Sequence, residues 1–190
     1  MNDLILESSA FKNGKEIPRK YGYKNTNINP PLTIKGIPQN TKSLVLIMDD
    51  PDAMGAVGKI WVHWVIWNIE PNTKEIKENS IPPGAIEGKT DFGEIGYGGP
   101  APSDKEHTYI FKLYAIDNKL NLHQGASKSD VEKSMKNHIL TEAKLAGKYS
   151  PWINRYEFNH LFLNMWIILI IFYTKSNKQS LERKSNWFQT

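Results

Sequence analysis

Three short stretches of this 190-residue chain carry side chains able to do chemistry: the run Asp49-Asp50-Pro51-Asp52, the single His63, and His107 with Tyr109. Asp50, His63 and His107 are the residue types of a two-histidine, one-carboxylate metal site, yet they are scattered without the tight spacing that marks one, and neither a metal nor another cofactor is expected. A serine hydrolase needs a Gly-x-Ser-x-Gly elbow, which is absent, and there is no cysteine to serve as a nucleophile. An Asp50–His63 acid–base pair is the enzymatic alternative, because carboxylate–histidine pairs often mark catalysis. Tyr97-Gly98-Gly99-Pro100 has the wrong glycine spacing for a dinucleotide fingerprint and runs into a strand instead of a helix. Its glycines instead let a ligand approach backbone N–H groups, and two imidazoles with a phenol would add donors for a phosphate or carboxylate. Taken singly, His63 reads as a hydrogen-bonded core histidine and His107 as the end of a strand. Only their combination with the aspartates and the glycine loop points to a small-anion pocket.

The elements that must position these groups are mostly strands. Ser43 to Met48 is a short apolar run that ends at the aspartates, and Ile60 to Ile69, dense in β-branched and aromatic residues, predicts a strand buried on both faces around His63. Asn79 to Asp104 holds so many glycines and prolines that no regular element is expected there, which makes it a long functional loop. His107 to Ile116 resumes as a strand, with His107, Tyr109, Phe111 and Leu113 sharing one face. One helix is expected late in the chain: Ser129 and Glu132 form a capping-box pattern, Val131, Met135, Ile139, Ala143 and Ala146 repeat at helical spacing, and Gly147 supplies the stop. Together these predict a mainly β fold, an antiparallel sandwich with a C-terminal helix packed on it.

Composition narrows the function classes. Residues 1–150 carry 19 basic and 18 acidic side chains, and residues 151–190 carry 5 and 2, so the net charge of +4 lies mostly in the tail. The main domain has no basic excess to neutralise nucleic-acid phosphates. The absence of cysteine removes disulfides and thiolate metal sites, and a reducing cytoplasm is the expected compartment. The N-terminus has acidic Asp3 and Glu7 and no long apolar core, unlike a secretory signal. Leu161 to Tyr173, the most apolar stretch, is shorter than the roughly 20 residues of a spanning helix, so no membrane span is expected.

In order along the chain, several motifs resemble the phosphatidylethanolamine-binding protein family, in its prokaryotic, Raf-kinase-inhibitor-like branch. They are Ser9-Ala10-Phe11 with Ile17-Pro18, Asn27-Ile28-Asn29-Pro30-Pro31, Asp50-Pro51-Asp52-Ala53, Trp61-Val62-His63-Trp64, Asp91-Phe92-Gly93, Gly96 to Pro102, His107-Thr108-Tyr109, and His138 to Tyr149, the last matching the family's closing helix. The resemblance covers Ser9 to Tyr149. It implies a Greek-key-like β-sandwich with a surface pocket for phosphate-like anions, including the phosphorylethanolamine head group, with Asp50, Asp52, His63, Gly99, Pro100, His107 and Tyr109 at the pocket positions. His63, His107 and Tyr109 would donate to the anion, the Gly99 N–H would be the backbone donor, and Asp50 would orient a histidine or meet an ammonium group. The implied function is non-enzymatic binding and regulation of a partner, with serine-protease or kinase inhibition through a protein surface as the alternative and a homodimer as the implied assembly. Two positions depart from the pattern: Met54 stands where a proline, often cis, is usual, and Thr108 where an arginine is common. The Ala53–Met54 bond is expected to be trans.

Residues 151–190 match nothing in that pattern. Trp152, Trp166, Trp187 and the run MWIILIIFY make this tail apolar and aromatic, so it must be buried somewhere or it is an aggregation hazard. It packs on the parent domain or a second subunit, anchors at a membrane surface, or is a read-through or frame-shifted end; the last is favoured because the segment lacks turn chemistry and a helical period. A chain truncated after Ser150 should then give the same cooperative melting transition as the full chain, and a truncated protein that fails to fold would contradict that reading.

Overall fold

The computed structural model describes residues 3–151. The strands are β1 (Ile5–Glu7), β2 (Lys15–Glu16), β3 (Leu32–Lys35), β4 (Ser43–Asp50), β5 (Trp61–Ile69), β6 (Glu75–Ile76), β7 (Ile86–Glu87), β8 (His107–Ile116) and β9 (Ile139–Tyr149). A one-turn helix α1 (Met54–Val57) follows β4, and α2 (Lys128–Met135) precedes β9. The strands form a small sheet ordered β1-β3-β6 and a large one ordered β2-β9-β8-β4-β5-β7, antiparallel throughout except for the β2–β9 pair. All peptide bonds among the described residues are trans, that between Ala53 and Met54 included.

Alternation along β4 explains the layers. Leu44, Leu46 and Met48 face the small sheet and join its Leu6, Leu32 and Ile34 in the main core. Val45 and Ile47 point the other way, into a second core with Val65, Trp67, Val131 and Met135 that α2 covers. A strand apolar at every position is what burial on both faces requires. The same alternation separates the tandem acids. Asp49 falls on the α2 side, where its buried carboxylate accepts from Lys112 Nζ at 2.6 Å and Lys128 Nζ at 2.8 Å, pinning α2 to the sheet. Asp50 falls on the opposite side, at the end of the sandwich.

The late helix is shorter than the sequence spacing predicts. Its cap is Ser127 with Asp130, not Ser129 with Glu132, and it ends at Met135. Ile139 to Tyr149, expected to continue the helix, is a strand paired residue by residue with β8. Ala143, Leu145, Gly147 and Tyr149 are buried in alternation, a period of two that the helical spacing of Ile139, Ala143 and Ala146 masked. The ladder offered by β8 prevailed over local helical preference. Within the irregular stretch from Asn79 to Asp104, only the two residues of β7 and a single bridge between Lys89 and Ile95 are regular. The tail readings fall outside the described residues.

Gly147 sits where β9 passes against Ile17 and Phe11; a Cβ there would lie 2.5 Å from Ile17 Cγ1 and 2.8 Å from Phe11 Cε2. Gly147→Ala should therefore lower the stability measured by urea unfolding by about 1–3 kcal/mol through overpacking.

Candidate functional site

The end of β4, the start of β5 and the start of β8 meet at one end of the large sheet. Asp50 is anchored twice: Oδ1 accepts from the Ala53 N–H at 3.1 Å, which begins the α1 turn, and Oδ2 meets His107 Nδ1 at 2.7 Å. Both side chains are almost fully buried. Asp52 reaches across to β8, its Oδ2 accepting from the Thr108 backbone N–H at 2.7 Å. This contact does not use the Thr108 side chain, so the departure from arginine leaves it intact.

His63 arrives by a different device. The β4–β5 register pairs Met48 with Trp64 and Asp49 with Val62, leaving His63 as the extra residue of a β-bulge. Such an insertion re-aims a side chain. The imidazole lies edge-on to Tyr109, with ring centroids 5.0 Å apart, and to Phe92 at 5.4 Å. Its Nδ1 lies 2.7 Å from the Gly98 carbonyl, while its own carbonyl accepts from the Gly98 N–H at 2.8 Å. This two-point clamp ties the glycine loop to β5. Gly99 has a different role from the one expected: its N–H donates to Asn27 Oδ1 at 2.8 Å and is not open to a ligand. A Cβ at Gly99 would lie 2.0 Å from the Tyr21 carbonyl oxygen, so glycine is needed there for close backbone packing. The Pro100 carbonyl accepts from the Tyr23 N–H at 3.0 Å, fixing the same loop. Tyr109 is sealed from solvent, and among the described residues its hydroxyl makes no hydrogen bond of good geometry, with the Asp50 carboxylate and the Ala101 backbone as its polar neighbours.

The phosphatidylethanolamine-binding protein family model matches residues 7–150. The chain belongs to this family. Its relatives place it in the prokaryotic branch. A UPF0098 protein of Methanothermobacter thermautotrophicus is 46% identical over 151 residues, a match covering 77% of this chain and 98% of the relative. A UPF0098 protein of Chlamydia trachomatis is 38% identical over 148 residues, covering 77% and 98%. The fold superimposes on the crystal structure of a phosphatidylethanolamine-binding protein homolog from Chlamydia trachomatis with a TM-score of 0.74 at 37% identity, covering 78% of this chain and 98% of that one. It superimposes on Escherichia coli YbcL, described as a new member of the mammalian family, with a TM-score of 0.73 at 28% identity, covering 77% and 98%.

In this family member the surroundings push the pKa values of the two histidines in opposite directions. Burial lowers the His63 pKa below its ordinary 6.5, outweighing the Gly98 carbonyl and the Asp50 charge, so the ring is neutral at pH 7. Since a carbonyl only accepts, the His63 proton resides on Nδ1, and Nε2 is left as an acceptor. The expectation that His63 donates to an anion is thereby corrected. For His107, burial again acts downward, but the hydrogen bond and charge of Asp50, and then those of Asp104, outweigh it and raise the pKa above 6.5. Asp104, whose Oδ1 lies 2.8 Å from His107 Nε2, thus joins the site from the glycine loop. Burial raises the pKa of the Tyr109 hydroxyl well above its ordinary value, with the Asp50 charge adding to the effect, so Tyr109 stays a donor. Asp50 pairs with His107 and not with His63, which removes the geometry expected of an Asp50–His63 acid–base pair. Among the described residues, no group of three or more histidine, aspartate and glutamate side chains is placed to hold a metal ion.

Sequence reasoning missed Asn27, Phe92, Asp104 and Trp61. Trp61 pairs with Asp50 across the strands and packs edge-on to Phe92 at 5.4 Å, with a buried indole N–H that lacks a partner among the described residues. Its position beside Asp50 follows from the register, which the bulge sets and no sequence spacing shows.

Removing only the unpartnered oxygen makes a clean test of whether the site is built for a ligand. Tyr109→Phe should leave thermal stability unchanged or raise it by up to about 1 kcal/mol, because a buried donor without a partner costs folding free energy. A clear loss of stability would show that the hydroxyl has an internal structural role.

Proposed function

We propose that this protein is a non-enzymatic binding module whose pocket, at Asp50, Asp52, His63, Gly99, Pro100, His107 and Tyr109, holds a small phosphate-like anion of the phosphorylethanolamine type. The observation that carries this reading is the Tyr109 hydroxyl, a buried donor without a hydrogen bond of good geometry among the described residues, on a ring flanked by two imidazoles. Native proteins leave few such groups unsatisfied, and a bound oxyanion is the kind of group that satisfies one. The imidazolium of His107 supplies positive charge beside it, held in place by Asp50. Family membership supports a phosphate-bearing head group, since the family takes its name from phosphatidylethanolamine.

The neutral His63 and the carboxylate of Asp52 favour a ligand that also carries a donor, such as an ammonium group or a protonated phosphate oxygen. A zwitterion meets both demands, and a simple anion meets only the first. Gly99 and Pro100 contribute through the shape of the loop, whose amide and carbonyl are engaged internally.

Calorimetric titration of phosphate and phosphorylethanolamine between pH 6 and pH 9 tests the reading. A histidine whose folded pKa is raised binds an anion well below that pKa and loses it as the pH rises through it, so affinity should persist past 6.5 and then fall. Phosphorylethanolamine should bind more tightly than phosphate, and Tyr109→Phe should weaken both by about tenfold. The absence of heat, and of any shift in melting temperature at millimolar ligand, would contradict the proposal. Turnover of a generic phosphate ester that is lost in Asp50→Asn would contradict its non-enzymatic part.

A further inference from the structure

The imidazole of His107 has two nitrogens, and both are already occupied by carboxylates. Nδ1 meets Asp50 and Nε2 meets Asp104, at 2.7 and 2.8 Å. The two carboxylates differ in every other respect. Asp50 is 4% exposed and is anchored a second time by the Ala53 N–H. Asp104 is 45% exposed, and beyond His107 its carboxylate has only the backbone N–H groups of its own turn, those of Asp104 and Lys105, as hydrogen-bonding neighbours. It stands in the exposed stretch Ser103 to Glu106, outside any strand, between the buried Pro100 and the first residue of β8. Asp50 is thus part of the frame, whereas Asp104 reaches His107 from an exposed loop and is otherwise held by local contacts alone.

A carboxylate and a phosphate present the same chemistry to an imidazolium N–H, an anionic oxygen that accepts a charge-assisted hydrogen bond. Nε2 is the His107 nitrogen that faces the exposed loop, because Nδ1 is turned toward Asp50. We propose that Asp104 is a tethered self-ligand: it occupies the anion's place on His107 in the free protein, and an external oxyanion binds by displacing it. The proposal rests on the anion pocket described above and adds that the pocket carries its own competitor.

The consequence is arithmetic. A site competent for only a fraction of the time shows an apparent Kd raised by the inverse of that fraction. A carboxylate three residues away on the same chain acts at a high effective concentration, so the competent fraction is small. Asp104 therefore screens out weak oxyanions and keeps the buried imidazolium paired while the site is empty.

Inorganic phosphate is titrated calorimetrically at pH 6, below the ordinary imidazole pKa, where protonation of His107 is favoured and Asp50 supports it in every protein compared. The proteins compared are the full chain, Asp104→Ala, Asp104→Asn and Glu106→Gln. Glu106 is the control: it is a nearby acid that pairs with Lys148 at 3.0 Å and does not touch the imidazole. Asp104→Ala should bind phosphate about tenfold more tightly than the full chain. Asp104→Asn should also gain affinity, while Glu106→Gln should stay within about twofold of the full chain. Unchanged or weaker binding in both Asp104 variants would overturn the self-ligand and leave the anion pocket standing. An equal gain in Glu106→Gln would also overturn it, because the effect would then be one of surface charge. Phosphate binding in none of the four proteins would overturn the anion pocket and this proposal with it.

Discussion

A carboxylate and an imidazole in contact inside a sealed sheet end are the constraint around which the rest of this site is arranged. Asp50 and His107 are both nearly inaccessible, and burying either one alone would be costly because water no longer solvates its charge. Their 2.7 Å contact makes the pair tolerable and fixes the distance between the end of β4 and the start of β8. The Ala53 N–H takes the other oxygen of Asp50, so the chain must turn at once into α1. The same requirement appears on the opposite face, where Asp49 is neutralised by two lysines that hold α2 to the sheet. One acidic pair, split by the pleat, thus builds a structural lock on one side and a candidate binding site on the other.

The second consequence is a division of labour between the histidines. His107, beside two carboxylates, is biased toward the charged form; His63, facing a carbonyl and aromatic edges, is biased toward the neutral form. A site with one imidazole biased toward the charged form, one imidazole acceptor and one phenol donor is suited to a small ligand of mixed charge. It is poorly suited to an extended polyanion, which agrees with the near-neutral charge of residues 1–150.

Much of this was legible in the sequence, and for definite reasons. The strands around Asp50, His63 and His107 are long apolar runs bounded by breakers, and alternation alone puts Asp49 and Asp50 on opposite faces and His107 and Tyr109 on the same one. The family resemblance adds the order of the motifs and the pocket positions. What the sequence hid depends on partners far away in the chain. The bulge that turns His63 exists only in the β4–β5 register. The Gly99 amide looked free until Asn27, 72 residues away, was brought to it. Ile139 to Tyr149 satisfies a helical pattern and a strand pattern at once, and only the exposed ladder of β8 decides between them. Asp104 carries no signal, because one aspartate in an exposed loop resembles any other.

The protonation states of the two histidines are the centre of this account, and nitrogen-15 NMR of the imidazole rings reads them directly. At pH 6.5 and without ligand, with resonances assigned through His63 and His107 variants, His107 should be predominantly protonated on both nitrogens and His63 predominantly a neutral ring with its proton on Nδ1. A neutral His107, or a charged His63, would contradict the arrangement on which the binding site rests.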